Sequence, residues 1–102
     1  MNPATFQDNP SAHRFEAIVD GKVAAYAEYN VLANGLLFTH TEVLPQHEGQ
    51  GLGSQLAKFA LDAVRARGVH AIPVCQFMAG YIREHRDYVD LVSEESRRAF
   101  RI

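Results

Sequence analysis

The stretch Glu48-Gly49-Gln50-Gly51-Leu52-Gly53-Ser54-Gln55-Leu56 (EGQGLGSQL, residues 48–56) decides how the rest of the chain is read. It follows a run with strand character and precedes one with helical spacing. A glycine-bearing loop in that place turns unpaired backbone N–H groups and the positive end of a helix dipole toward one point, which suits a phosphate or pyrophosphate. The same spacing also serves a tight strand-to-helix turn that holds no ligand. Two better-known phosphate loops are excluded. A nucleotide P-loop ends in Gly-Lys-Ser/Thr, whereas this one runs Gly53-Ser54-Gln55 with no lysine before Lys58. A dinucleotide fingerprint asks for a third glycine where Ser54 stands, and for more strand-helix repeats than 102 residues can hold.

Downstream of the loop, Leu52, Leu56, Phe59, Ala60, Ala63 and Val64 recur at helical steps, with Gln55, Lys58, Asp62 and Arg65 opposite them. Arg67 and Gly68 close that helix with a cation at its carbonyl end and a left-handed cap. Residues 69–74 (VHAIPV) predict a short strand that returns, by a right-handed crossover, parallel to the strand before the loop. Pro73 cannot donate to a ladder, so the sheet is expected to split at its level. Residues 76–85 (QFMAGYIREH) predict a second short helix carrying Phe77, Tyr81 and Ile82. Tyr88, Val89, Leu91 and Val92 offer a last apolar patch before an amphipathic tail, SEESRRAFRI.

Upstream, residues 36–43 (LLFTHTEV) predict a strand that Pro45 ends and an Asn34-Gly35 turn precedes. Period-two alternation puts Phe38, His40 and Glu42 on one side of it and Leu37, Thr39, Thr41 and Val43 on the other. Residues 15–19 (FEAIV) and 22–31 (KVAAYAEYNV), joined by Asp20-Gly21, predict a hairpin on a two-residue turn. No repeat and no low-complexity segment interrupts the chain.

Composition bounds the function. With 47% hydrophobic and 22% charged residues, a chain of 102 residues predicts a single ordinary domain. A domain of that size hides only about 60–65% of its unfolded surface, which leaves few apolar residues for anything but packing. A net charge of -2 with scattered Lys and Arg disfavours nucleic acid as a partner. Residues 1–14 carry prolines and no apolar run, so 1–13 read as a flexible arm ahead of a domain at 14–102. That arm is neither signal peptide nor membrane span, and the expectation is a cytoplasmic protein without a membrane partner. Cys75 is the single cysteine, so a disulfide within the chain is excluded. His13, His40, His47, His70 and His85 form no helical i, i+4 pair, and no metal is expected.

With these elements in place, residues 48–56 resemble the acetyl-coenzyme A pyrophosphate loop of the GNAT superfamily of N-acetyltransferases, whose pattern is Gln/Arg-x-x-Gly-x-Gly/Ala. Gly51 and Gly53 match its two small positions, while Glu48 stands where Gln or Arg is usual. Residues 14–92 as a whole are similar to a compact branch of about 100 residues that lacks the usual amino-terminal helices. His40-Thr41-Glu42-Val43 and the Pro-Val-Cys-x-Phe-x-x-x-Tyr-Ile segment from Pro73 are the most specific features of the likeness. The resemblance implies an α/β fold with a mostly antiparallel sheet and a splayed parallel strand pair. It also implies a crossover helix after the glycine loop, a second C-terminal helix, and a pantetheine arm lying in the splay.

Acetyl transfer needs a held acyl donor, an unprotonated amine, stabilisation of the oxyanion and a proton for the departing thiolate. By resemblance, Val43 and Leu44 offer backbone groups to pantetheine, and Gly49, Gln50, Gly51, Leu52, Gly53 and Ser54 surround the pyrophosphate. Phe77, Cys75 and Tyr81 lie along the arm. The cysteine matching Cys75 sits beside the acetyl group in the compact branch, and a helix starting at Gln76 would turn its positive end toward the thiol. The other reading of Cys75 is a buried, packed thiol. Tyr81 is the candidate acid for the coenzyme sulfur, with core packing as its alternative. His40, then Glu42, are candidates for taking the amine proton, or else form a solvated surface pair.

The function expected is transfer of acetyl from acetyl-coenzyme A to an amine of a small molecule or a protein. The competing readings are a non-turnover coenzyme-binding module, and an interaction domain using the strand surface around Tyr26, Tyr29 and Phe38.

Overall fold

The turn at Asp20-Gly21 takes the form its residues favour, with φ of 52° and 76°. It joins β2 (Arg14–Val19) to β3 (Lys22–Leu32), and Val19 lies opposite Lys22. In the computed structural model, which describes residues 3–102, β4 (Gly35–Val43) follows and pairs antiparallel with β3. The crossover helix α1 (Leu52–Arg67) ends on Gly68 as a left-handed cap and leads to β5 (His70–Pro73), parallel to β4. Then come α2 (Gln76–Glu84), a 3-10 segment Arg86–Leu91, and α3 (Glu94–Phe100), which Ser93 caps through its side chain. The five strands form one sheet in the order β1-β2-β3-β4-β5, where β1 is Thr5–Asn9. No helix among the described residues is long and apolar enough to cross a membrane.

The helix layer covers one face of this sheet. Leu56, Ala57, Ala60, Leu61 and Val64 of α1 are fully buried, as are Phe15, Ala17, Ala25, Ala27 and Phe38 of the strands. Alanines on the facing surfaces of helix and sheet leave room for Phe15 to bring Tyr29, Phe38 and Phe59 into ring contact at 4.9–6.2 Å. The other face is polar across four strands, from Gln7 and Asn9 through Arg14 and Glu16 to Tyr26, His40 and Glu42. It is held by the bonds that the first four make and by ring contacts at Tyr26.

The structure corrects the sequence reading at four places. Residues 1–13 are not an arm throughout, because Thr5–Asn9 pair with β2 from Thr5–Ile18 to Asn9–Arg14. The strand hides from pattern reading because its anchor is polar: Gln7 and Asn9 donate to the Glu16 carboxylate at 2.6 and 3.2 Å. Met1 and Asn2 of that arm lie outside the described residues. The turn before β4 is Ala33-Asn34, and Gly35 already belongs to the strand, opposite Leu32.

The third correction is a β-bulge. The β3–β4 register steps from Tyr29–Phe38 to Glu28–His40 and leaves Thr39 as the extra residue. An inserted residue shifts the alternation of everything beyond it. Thr41 and Val43 therefore share the helix-covered face with Phe38, while His40 and Glu42 turn to the polar face, away from Phe38. Finally, Pro73 does pair with Phe38, and the strands separate only beyond that pair. As β5 is the last strand of the sheet, a missing N–H at its outer edge costs no ladder bond.

Glu16 is 2% exposed and accepts from Gln7, Asn9 and, at 2.6 Å, Arg14. Burial alone would raise its pKa, but the Gln7, Arg14 and Asn9 hydrogen bonds and the Arg14 charge together hold it below the usual carboxylate range. A carboxyl whose pKa is depressed by folding stabilises the fold above its unfolded pKa, about 4.3, and loses that contribution as pH falls through the folded value. Glu16→Gln is expected to lose about 2 kcal/mol at pH 7, the worth of a charged hydrogen-bond set. The gap from wild type should close as urea melts are repeated down to pH 3; a constant gap across that range would remove the charge from the explanation.

Candidate active site

Pro45 ends β4 and opens a short 3-10 turn, Pro45–His47, from which the chain enters the glycine loop. Gly49 and Gly51 both take left-handed backbone angles, φ 79° and 73°. Gly51 is the N-cap of α1, so no side chain caps the helix, and its first turn carries no acidic residue. The first N–H groups of this 16-residue helix are thus left to a ligand or solvent. Beside them lies a cavity of about 190 Å³ walled by Val43, His47, Glu48, Gly49, Gly51, Leu52, Gly53, Ser54 and Phe77. Uncapped donors at a dipole's positive end fit a diphosphate. The Glu48 carboxylate on the same wall opposes it. Gln50, grouped with the loop by sequence, lies outside this wall, exposed.

Val43, which ends β4, walls this cavity and also borders a fork between β4 and β5. The two strands are in register from Gly35–His70 to Phe38–Pro73, and the Cys75 N–H then reaches the Phe38 carbonyl at 2.9 Å. Beyond that point β4 runs on to Val43 while β5 has ended. Leu44 donates its N–H to the Ala24 carbonyl at 2.9 Å and accepts from the His47 N–H. Its N–H is therefore committed to β3, while its carbonyl oxygen, with a second lone pair, still has room for another donor. Backbone groups alternate in direction along a strand, so with Leu44 turned to β3, Val43 and Thr41 turn theirs into the fork.

Cys75 is the N-cap residue of α2 and is 9% exposed. Its thiol donates to Thr41 Oγ1 at 3.4 Å, across the fork. Thr41 was missed by sequence reading, which set it on the far side of the strand from His40 and gave it no role; only the bulge reveals what it faces. Phe77, 43% exposed, stands at the mouth between Val43 and α1.

On the polar face, His40 Nε2 lies 3.0 Å from Glu42 Oε1, both side chains about half exposed, and the Tyr26 ring is 6.1 Å from the imidazole. Burial, together with the charges of Glu42 and Glu28, pushes the Tyr26 hydroxyl above its ordinary pKa. The pair is on the opposite side of the sheet from the Cys75 thiol, so base candidates and thiol address the fork from its two faces.

Tyr81 lines a second cavity of about 230 Å³ with Ser54, Gln76, Phe77, Gly80, Glu84 and His85, and its ring stacks on His85 at 3.9 Å. Ser54 and Phe77 wall both cavities, which makes the two neighbours along α1 and α2. Burial raises the Tyr81 pKa against the lowering effect of Lys58, with Asp87 and Asp62 adding to the rise, so the phenol keeps its proton at neutral pH. His47 and His85, to which the sequence reading gave no role, thus sit on cavity walls. Among the described residues no group of metal-ligating side chains gathers.

A mixed five-stranded sheet forked beside an uncapped, glycine-led helix defines a class by its architecture, the compact α/β fold of the GNAT type. The profile of the family described as GCN5-related N-acetyl-transferase matches residues 14–91, and the chain belongs to that family. No curated protein sequence matches it. Among solved structures it is similar to the ribosomal-protein-S18-alanine N-acetyltransferase of Escherichia coli, at 32% identity and a TM-score of 0.53. That likeness covers 56% of this chain and only 37% of the Escherichia coli enzyme. The chain therefore carries the fold of its family and spans little more than a third of the length of the solved relative it resembles.

Proposed function

We propose that this domain transfers the acetyl group of acetyl-coenzyme A to an amine. The observation that carries the reading is the continuity of two features: the uncapped start of α1 on its cavity, and the fork that opens beside it where β5 stops. Amides of the loop from Gly49 to Ser54 hold the diphosphate. Val43 and Thr41 present backbone groups to the arm, and Phe77 flanks it.

The acceptor amine approaches from the polar face. Its nitrogen bonds to the acetyl carbon as the carbon–sulfur bond breaks. His40, paired with Glu42, takes the amine proton, and Tyr81 on the helix side returns one to the coenzyme sulfur. Cys75 contacts the acetyl group, or carries it between donor and amine. The polar face lies open, so a protein or peptide amine is as acceptable as a small one, and the acceptor of the Escherichia coli neighbour is a ribosomal protein. A cytoplasmic setting, consistent with the free Cys75, belongs to the same reading.

Titration calorimetry with coenzyme A and acetyl-coenzyme A tests the binding half, with micromolar affinity expected; no heat at millimolar ligand would end the proposal. Intact mass after exposure to acetyl-coenzyme A tests the carrier role. A gain of one acetyl group that Cys75→Ser abolishes supports an acetyl-cysteine, and an unmodified wild-type chain leaves Cys75 as a contact.

A further inference from the structure

The fork has a floor. Its base is the Phe38–Pro73 pair, buried on both strands, and the Cys75 N–H bond to the Phe38 carbonyl closes the angle above it. Directly over that angle the Cys75 thiol donates to the Thr41 hydroxyl at 3.4 Å, a side-chain contact that spans the gap. A strand rises about 3.3 Å per residue, which sets Thr41 about 7 Å below Val43 at the mouth. An arm entering past Val43 and Phe77 runs down the gap and meets this pair end-on.

We propose that Thr41, braced against Cys75, sets the length of acyl chain that the fork accepts, admitting acetyl and excluding longer groups. The inference rests on the coenzyme reading above and adds to it a residue that determines donor specificity. Thr41 is suited to the task for two reasons. The bulge at Thr39 turns its side chain to the thiol's side of the sheet. Branching at its β-carbon makes that side chain stiff, and the Cys75 sulfur packs against it, so its two branches form a fixed stop. Interiors are packed closely enough that one surplus methylene against a fixed stop is felt at once.

Binding of coenzyme A, acetyl-, propionyl- and butyryl-coenzyme A to the full chain reads this directly and needs no acceptor. Wild type is expected to hold the acetyl thioester at least about tenfold more tightly than the butyryl one, the discrimination a closed apolar slot gives against added methylenes. Thr41→Ala should bring the two within about twofold. Thr41→Val, which keeps the outline and loses the hydroxyl, should retain the wild-type preference. Thr41→Ser, the gentler change, should fall between, at about threefold, and serves if the alanine variant does not fold.

A Thr41→Ala or Thr41→Ser variant that binds acetyl-coenzyme A with the full wild-type preference overturns the proposal, as does a wild type that takes butyryl and acetyl thioesters equally. In both results coenzyme binding survives, so the function proposed above stands. A chain that binds no coenzyme at all removes both.

Discussion

Gly35→Ala is expected to cost about 3 kcal/mol, the upper range for forcing extra atoms into a packed site, and to lower the melting temperature by about 15 °C in a domain of this size. Gly35 opens β4 directly against the start of β5. A β-carbon there would lie 2.5 Å from the His70 carbonyl oxygen and 3.2 Å from its carbon. Both are backbone atoms, so no side chain can swing aside, and the parallel pair itself must separate at Gly35–His70. That end of the pair is also tied by the His70 N–H to the Asn34 carbonyl at 3.0 Å, a bond the same movement would strain. Thermal and urea melts of the variant measure the cost. A loss below about 1 kcal/mol would mean that the strands yield freely, and that the base of the fork is less rigid than its geometry implies.

The reach of the sequence ended where a one-residue event or a polar anchor took over from periodicity. α1 was legible from Leu52 to its Gly68 cap because Leu52, Leu56, Ala60 and Val64 repeat at helical spacing, all four of them buried, and both ends carry glycine. The Asp20-Gly21 hairpin was legible because its turn residues accept positive φ. β1 was not, since Gln7 and Asn9 face a buried carboxylate and not an apolar core, so no hydrophobic alternation marks them.

Nor was the bulge legible, because Thr39 has the same strand preference as its neighbours and leaves no trace in composition. That single inserted residue reassigns His40, Thr41, Glu42 and Val43 between the two faces. The site was therefore legible as a set of segments and illegible as a set of facing side chains. His40 and Glu42 stay together under either alternation, whereas Thr41 and Cys75 meet only under the observed one. Leu44 shows the same limit on the backbone, since its commitment to Ala24 depends on where the strand leaves its ladder.

Gly53→Ala separates binding from stability. A β-carbon at Gly53 would come 2.9 Å from Phe77 Cζ and 3.3 Å from Val43 Cγ2, both side-chain atoms. Phe77 is about half exposed at the mouth of the fork, so its ring can move, and because it walls the cavity beside Val43 and the glycine loop, any displacement reshapes that space. The cost to the fold is small: relief by the ring, together with alanine's better helix propensity of up to about 1 kcal/mol, should leave the melting temperature within a few degrees of wild type. The cost to the ligand is large, because the displaced ring obstructs the route from the helix N-terminus to the fork. Affinity for coenzyme A is expected to fall at least about thirtyfold, or about 2 kcal/mol. Shortening the obstruction in Gly53→Ala with Phe77→Leu should recover affinity to within about fivefold of wild type, because the leucine no longer reaches the added methyl and the two sites couple through direct contact. If Gly53→Ala binds the coenzyme as wild type does, with Phe77 intact, then the arm does not pass between Val43 and Phe77, and the fork is not its path.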